Sequence, residues 1–135
     1  MLKLTRKVEY ALIALRHMQQ KPEGSVTNTK EISVRYGIPP QILAKTLQQL
    51  SREKIIGAVQ GPAGGYKITS DLTEINMIDF FEKLEGPLGM MNCFYDSECI
   101  QLDNCTIKSP MEHINDKLRD FFSKMTLNEV TAKVN

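Results

Sequence analysis

Apolar residues first recur at helical spacing near the start of the chain. Val8, Leu12, Leu15 and Met18 form a stripe that Ala11 and Ile13 widen, which predicts a helix over about residues 5–20. Lys21-Pro22-Glu23-Gly24 ends it, because Pro22 cannot continue a helix and Gly24 marks a turn. A second, short helix is predicted from Asn28, with Glu31 as capping-box partner. Its inner face comes from Ile32 with Val34 or Arg35 beside it, and Gly37 supplies the left-handed residue past its end. After Gly37-Ile38-Pro39 a third helix opens with Pro40 in its first turn. Ile42, Leu43, Leu47 and Leu50 make one side apolar, and Gln41, Lys45, Gln48, Gln49 and Arg52 leave the other polar and basic.

Ile55-Ile56-Gly57-Ala58-Val59 and Tyr66-Lys67-Ile68-Thr69 read as two short strands. The six residues between them, Gln60 to Gly65, form a Gly- and Pro-rich hairpin tip. Two helices joined by a short Gly-containing turn and followed by a hairpin predict a winged helix-turn-helix over residues 1–70. Residues 71–135 open with a helix over 76–85, capped by Asn76 with Asp79 and stapled by Ile75 against Phe80. Gly86-Pro87 stops that helix. Residues 87–108 read as an irregular loop. A long helix then starts with Ser109 as cap, Pro110 in first position and Glu112 as box partner, and Met111, Ile114, Leu118, Phe121, Phe122 and Met125 give it a large apolar stripe. The expected fold class is therefore mainly α with a small β-hairpin wing and a long C-terminal helix.

The chain has 135 residues, 41% hydrophobic and 24% charged, an ordinary globular composition. No apolar run approaches the length of a membrane span. No apolar core follows the N-terminal charges, so the expected location is the cytoplasm, with no membrane partner. The net charge of +1 hides an asymmetry. Residues 1–70 carry eleven Lys/Arg against four acids, a net +7, whereas residues 71–135 carry six against twelve, a net −6. A basic half beside an acidic one suggests a polyanion-binding face.

The polar side of the third helix fits that expectation, since an α-helix enters the major groove and reads base edges by hydrogen bonding. Gln41, Lys45, Gln48 and Gln49 are the candidate readers, and Pro39 and Pro40 lie with Gln41 at the end where groove contact is commonest. Lys3, Arg6, Lys7, Arg52 and Lys54 are candidates for phosphate contacts. Gly61, Gly64 and Gly65 let the wing backbone approach the nucleic acid. Double-stranded promoter DNA is the implied partner.

Cys93, Cys99 and Cys105 are spaced C-x5-C-x5-C among polar residues. Three is an odd number for a disulfide framework, and the neighbours Asn92, Asp96, Ser97, Glu98, Asp103 and Asn104 would not form a dry pocket. The thiols fit an iron–sulfur cluster, while zinc, a thiol redox switch and simple packing stay open. No phosphate loop, nucleophile–base pair or paired catalytic carboxylates are present, so an enzyme is not expected.

The sequence resembles the family of winged-helix regulators that includes the iron–sulfur regulator IscR and the nitric-oxide-sensing repressor NsrR. The resemblance rests on Leu4-Thr5-Arg6-Lys7-Val8-Glu9-Tyr10-Ala11-Leu12, on Ile32-Ser33 with Tyr36-Gly37-Ile38-Pro39, and on the wing Gly61-Pro62-Ala63-Gly64-Gly65-Tyr66. It extends to Leu84-Glu85-Gly86 before the cysteines and to the cysteine trio itself. It implies a homodimeric transcription factor, acting as a repressor, whose long C-terminal helices cross between subunits. Each subunit would bind a 2Fe–2S or 4Fe–4S cluster through Cys93, Cys99 and Cys105, sensing nitric oxide, redox state or iron–sulfur status. Where IscR-like members place a fourth-ligand His after the last cysteine, this chain has Lys108. Other members use an acid in the partner's first helix, and Glu9 occupies that position, although Ile13 stands where a companion His would be. Ala44 replaces a specificity-changing Glu of the IscR branch, and His17 and His113 read as surface or packing residues. The alternatives are a thiol- or zinc-based sensor on the same scaffold and a winged-helix adaptor that binds no DNA.

Overall fold

The computed structural model describes residues 4–88 and 106–132. The cysteine trio, Lys3 and most of the expected 87–108 loop lie outside the described residues. Helix α1 spans Arg6–Gln20, and Thr5 caps it by accepting from the Val8 amide. Its buried face is Val8, Ala11, Ala14, Leu15, His17 and Met18. Leu12 and Ile13 are only half-buried at its flank, so the inward arc centres on the two alanines, where neighbouring helices approach closely.

Helix α2, Thr29–Tyr36, is capped by Asn28, whose side-chain oxygen accepts from the Glu31 amide at 2.8 Å. Gly37 takes the left-handed conformation at φ 66° that ends it. Ile32 and Ser33 are the buried pair. Val34, expected on the inner face, is 72% exposed, because an eight-residue helix turns only one narrow arc inward.

Helix α3, Pro40–Arg52, buries Leu43, Thr46, Leu47 and Leu50. Each leucine is fully enclosed, a burial that stabilises by roughly 1.5–3 kcal/mol per side chain. Ile42, assigned by the hydrophobic pattern to this face, is instead 45% exposed: Thr46 fills the inner position and hydrogen-bonds back to the Ile42 carbonyl at 2.8 Å. The helix ends through Lys54, a non-glycine residue at φ 63°.

Strands β1, Ile56–Val59, and β2, Gly65–Ile68, pair antiparallel with Ile56 opposite Ile68 and Val59 opposite Gly65. A reciprocal bridge joins the wing to the segment before α2: Thr27 N–H donates to the Tyr66 carbonyl and Tyr66 N–H to the Thr27 carbonyl, both at 2.8 Å.

A 3-10 turn at Leu72–Glu74 leads to α4, Met77–Glu85, which is capped by Asn76 with Asp79 as expected. Helix α5 spans Lys108–Ser123. Its cap is Ile107, with no side-chain capping bond, and Ser109 lies within the first turn. Glu112 pairs with Lys108 at 3.8 Å instead of serving Ser109.

The short α6, Leu127–Thr131, has no counterpart in the sequence reading. It is clipped beside α4, where Met77 N–H donates to the Met125 carbonyl and Leu127 N–H to the Ile75 carbonyl. Gln19 of α1 reaches Asn128 at 2.9 Å. Leu127, Phe80, Phe81 and Leu84 join one continuous core with Leu15, Ile32, Leu47 and Ile56. Residues on both sides of Ser70 thus share a hydrophobic cluster.

Candidate nucleic-acid interface

Ser33 sets the turn before α3. Its buried hydroxyl donates to the Ile38 carbonyl at 2.7 Å, while the Ile38 N–H returns to the Ser33 carbonyl at 3.1 Å. With Ile38 buried as well, the turn is locked to the body of α2. Pro39 and Pro40 then stand exposed at the start of α3, and no side chain caps its first amides. Those amides carry the positive end of the helix dipole, a site suited to phosphate. Gln41, Lys45, Gln48 and Arg52 follow on one exposed face at helical spacing.

Not every predicted residue joins that face. Gln49 turns inward across the molecule, its amide nitrogen donating to the Lys83 carbonyl at 2.9 Å and toward the Leu84 carbonyl at 3.4 Å. Lys7 reaches the same Leu84 carbonyl at 3.4 Å. The two side chains therefore cap the last turn of α4, whose carbonyls have no partner further along the helix. Arg6 is exposed and ion-paired with Glu9 at 3.0 Å. Such a surface pair is worth little and leaves the guanidinium available.

The wing glycines separate in the same way. Gly61, at φ 104°, faces open space at the tip. A Cβ on Gly65 would lie 2.4 Å from the Thr27 carbonyl oxygen, and one on Gly64 would lie 2.2 Å from that of Val59. Internal backbone contacts therefore demand these two glycines before any ligand arrives.

Behind the turn, His17 holds both ends of α2. Its Nδ1 is 2.8 Å from the Tyr36 hydroxyl, and its Nε2 is 2.5 Å from the Glu31 carboxylate, which Lys21 also approaches at 3.2 Å. The His17 hydrogen bond, with help from Lys21, holds the Glu31 carboxyl below the usual glutamate range. In the sequence His17 reads as a surface or packing residue; in the structure it is buried and both of its ring nitrogens are engaged. The available signal was its place on the buried arc of α1, one residue before Met18. His113 is exposed on α5.

From the cap of α5 to just past its end, Ile107, Met111, Ile114, Leu118, Phe121 and Met125 recur at alternating spacings of four and three. Ile107, Ile114 and Phe121 of that series are 52%, 44% and 57% exposed. This is a two-residue-per-heptad seam with one of its rows uncovered. Arg119 pairs with Glu82 and donates to the Leu88 carbonyl at 3.2 Å, fastening α5 to the end of α4. Among the described residues, no three His, Cys, Asp or Glu side chains converge into a metal-binding group.

The pattern that defines the Rrf2 family, described as iron-dependent transcriptional regulators, matches residues 4–133. The chain belongs to the Rrf2 family. An HTH-type transcriptional regulator of Mycobacterium tuberculosis strain H37Rv is 31% identical over 88 residues, covering 65% of this chain and 55% of that protein. The chain thus spans about half the length of the curated relatives it matches. In fold it is similar to CymR of B. subtilis, the global cysteine regulator, at 21% identity, TM-score 0.76 and full coverage of both chains. The oxidized form of Staphylococcus aureus CymR has 22% identity, TM-score 0.76 and 99% coverage of each chain. IscR of T. potens has 22% identity and TM-score 0.71, covering 95% of this chain and 85% of that one. This Rrf2 regulator therefore has the winged-helix fold that its hydrophobic pattern predicts, and no helix among its described residues is long and apolar enough to cross a membrane.

Proposed function

We propose that this Rrf2 protein is a homodimeric repressor whose affinity for promoter DNA is controlled by an iron–sulfur cluster on Cys93, Cys99 and Cys105. The observation that carries the DNA reading is the exposed face of α3, where Gln41, Lys45, Gln48 and Arg52 follow an uncapped helix start. Gln41, Lys45 and Gln48 read base edges, while Arg52, Lys54 and the wing tip at Gly61 hold phosphates. The uncovered row of Ile107, Ile114 and Phe121 supports pairing of two α5 helices, which would set two α3 helices about one DNA turn apart.

The C-x5-C-x5-C thiols and the family description as iron-dependent support the cluster. When bound it would supply a centre reactive toward oxidants and nitric oxide. Glu9 is the candidate fourth ligand, offered across the dimer. Its carboxylate is half-exposed and pairs with Arg6. The cysteine segment follows the end of α4, whose last turn accepts from Gln49 of α3, and Leu88, which accepts from Arg119 of α5, so a change there would bear on both the reading helix and the pairing helix.

A second reading, a thiol- or zinc-based sensor on the same scaffold, is favoured by Lys108. Its ammonium pairs with Glu112 at 3.8 Å and has no lone pair to give a metal. Anaerobic purification with iron, sulfide and zinc analysis separates the two readings. Iron and sulfide lost on replacing each cysteine support the cluster. Stoichiometric zinc, or metal-free protein that resists reconstitution, overturns it. Salt-sensitive binding of duplex DNA tests the DNA reading, and its absence at low salt would favour a protein-binding adaptor.

A further inference from the structure

We propose that Ile42 is an apolar base reader that contacts the C5-methyl group of thymine in the major groove, a reading that rests on α3 being the DNA-reading helix. The inner face of α3 is complete without it: Leu43, Thr46, Leu47 and Leu50 are all buried. Ile42 is instead 45% exposed, in the first turn of the helix on the flank of the face that carries Gln41 and Lys45, at the end that enters a groove first. The Thr46 hydroxyl, bonded to the Ile42 carbonyl at 2.8 Å, fixes the backbone beneath it.

A branched hydrocarbon has no hydrogen-bonding capacity, so it cannot read an oxygen or nitrogen on a base edge. The one apolar group displayed in the major groove is the thymine methyl. Isoleucine is also stiff at χ1, so its contact surface is pre-set before binding. Among polar and cationic neighbours, it therefore supplies discrimination that Gln41 and Lys45 do not. Those side chains recognise donors and acceptors, and Ile42 recognises the methyl that distinguishes A·T from an otherwise similar pair.

The test uses the full chain, purified anaerobically. A preferred duplex is first selected from a random-sequence library, and each thymine in it is then replaced singly by uracil. That change removes the methyl and keeps every hydrogen-bonding group. Fluorescence anisotropy at fixed salt should show wild-type binding weakened at one or two positions per half-site. The expected loss is roughly fourfold, as for one apolar group returned to water. I42A should bind the thymine duplex with the same loss and show no further loss with uracil, while I42V keeps part of the discrimination. Thermal unfolding of I42A should match wild type, since the side chain packs in no core. Uracil tolerated everywhere by wild type, or penalised equally in I42A, would overturn the role of Ile42 while leaving DNA binding standing. Recovery of no duplex at low salt would overturn both.

Discussion

At the scale of single residues, His17 is the polar group on which the helix-turn-helix leans. One imidazole engages the first turn of α2 through Glu31 and its last residue through Tyr36, which fixes both the tilt and the rotation of that helix. Replacing His17 with Ala removes two hydrogen bonds from a nearly buried site and should cost about 2 kcal/mol in urea unfolding. The Glu31 carboxyl is held below its ordinary range when folded. Its contribution is therefore fully present above the unfolded value and is lost as pH falls through the folded one. Wild type should lose stability over acid pH more steeply than E31Q, as pH-dependent thermal unfolding would record. Equal slopes would show that the pairing carries no linkage. Neither partner could be chosen from the sequence alone, because residues 17, 31 and 36 meet only when α1 and α2 cross. The capping role of Asn28 was legible, being local. The use of the Glu31 carboxylate was not, since it turns to His17 and Lys21 instead.

Among elements, periodicity locates α1 to α5 and both strands to within a residue or two, because each carries a regular apolar pattern. It misassigned Val34 and Ile42, where the helix is short or a threonine takes the inner place. It gave no sign of α6, whose five residues hold their place by backbone bonds to the segment before α4. It also grouped Gln49 with the DNA readers, since a polar residue on a polar face looks free until α4 is seen behind it. Two backbone positions give opposite expectations. Lys54 adopts a left-handed conformation unfavourable for a residue with a Cβ, so K54G should stabilise by about 1 kcal/mol while weakening DNA binding through a lost phosphate contact. Gly65 has no room for a Cβ beside Thr27, so G65A should destabilise by about 2 kcal/mol or more, with loss of DNA affinity as the wing shifts. Unfolding curves and anisotropy on the same samples check both.

For the whole molecule, the charge asymmetry suggests a polyanion, and the contacts proposed for it are the exposed side chains of α3. K45A and R52A should each lower the slope of log affinity against log salt by about one unit, across all duplex sequences. The proposed pairing surface is equally testable: F121D should yield a monomer in sedimentation and weaken binding to a two-half-site duplex far more than to a single half-site. A dimer persisting in F121D would place the interface elsewhere. The cysteine trio is conspicuous as a motif and lies outside the described residues. Finally, the bridge between Thr27 and Tyr66 stitches the hairpin to the same stretch of chain that launches α2. With Ser33 holding the turn before α3 to that same α2, hairpin and reading helix would, in the dimer proposed above, meet an operator as one pre-cast die, and regulation would act on the gap between two such dies.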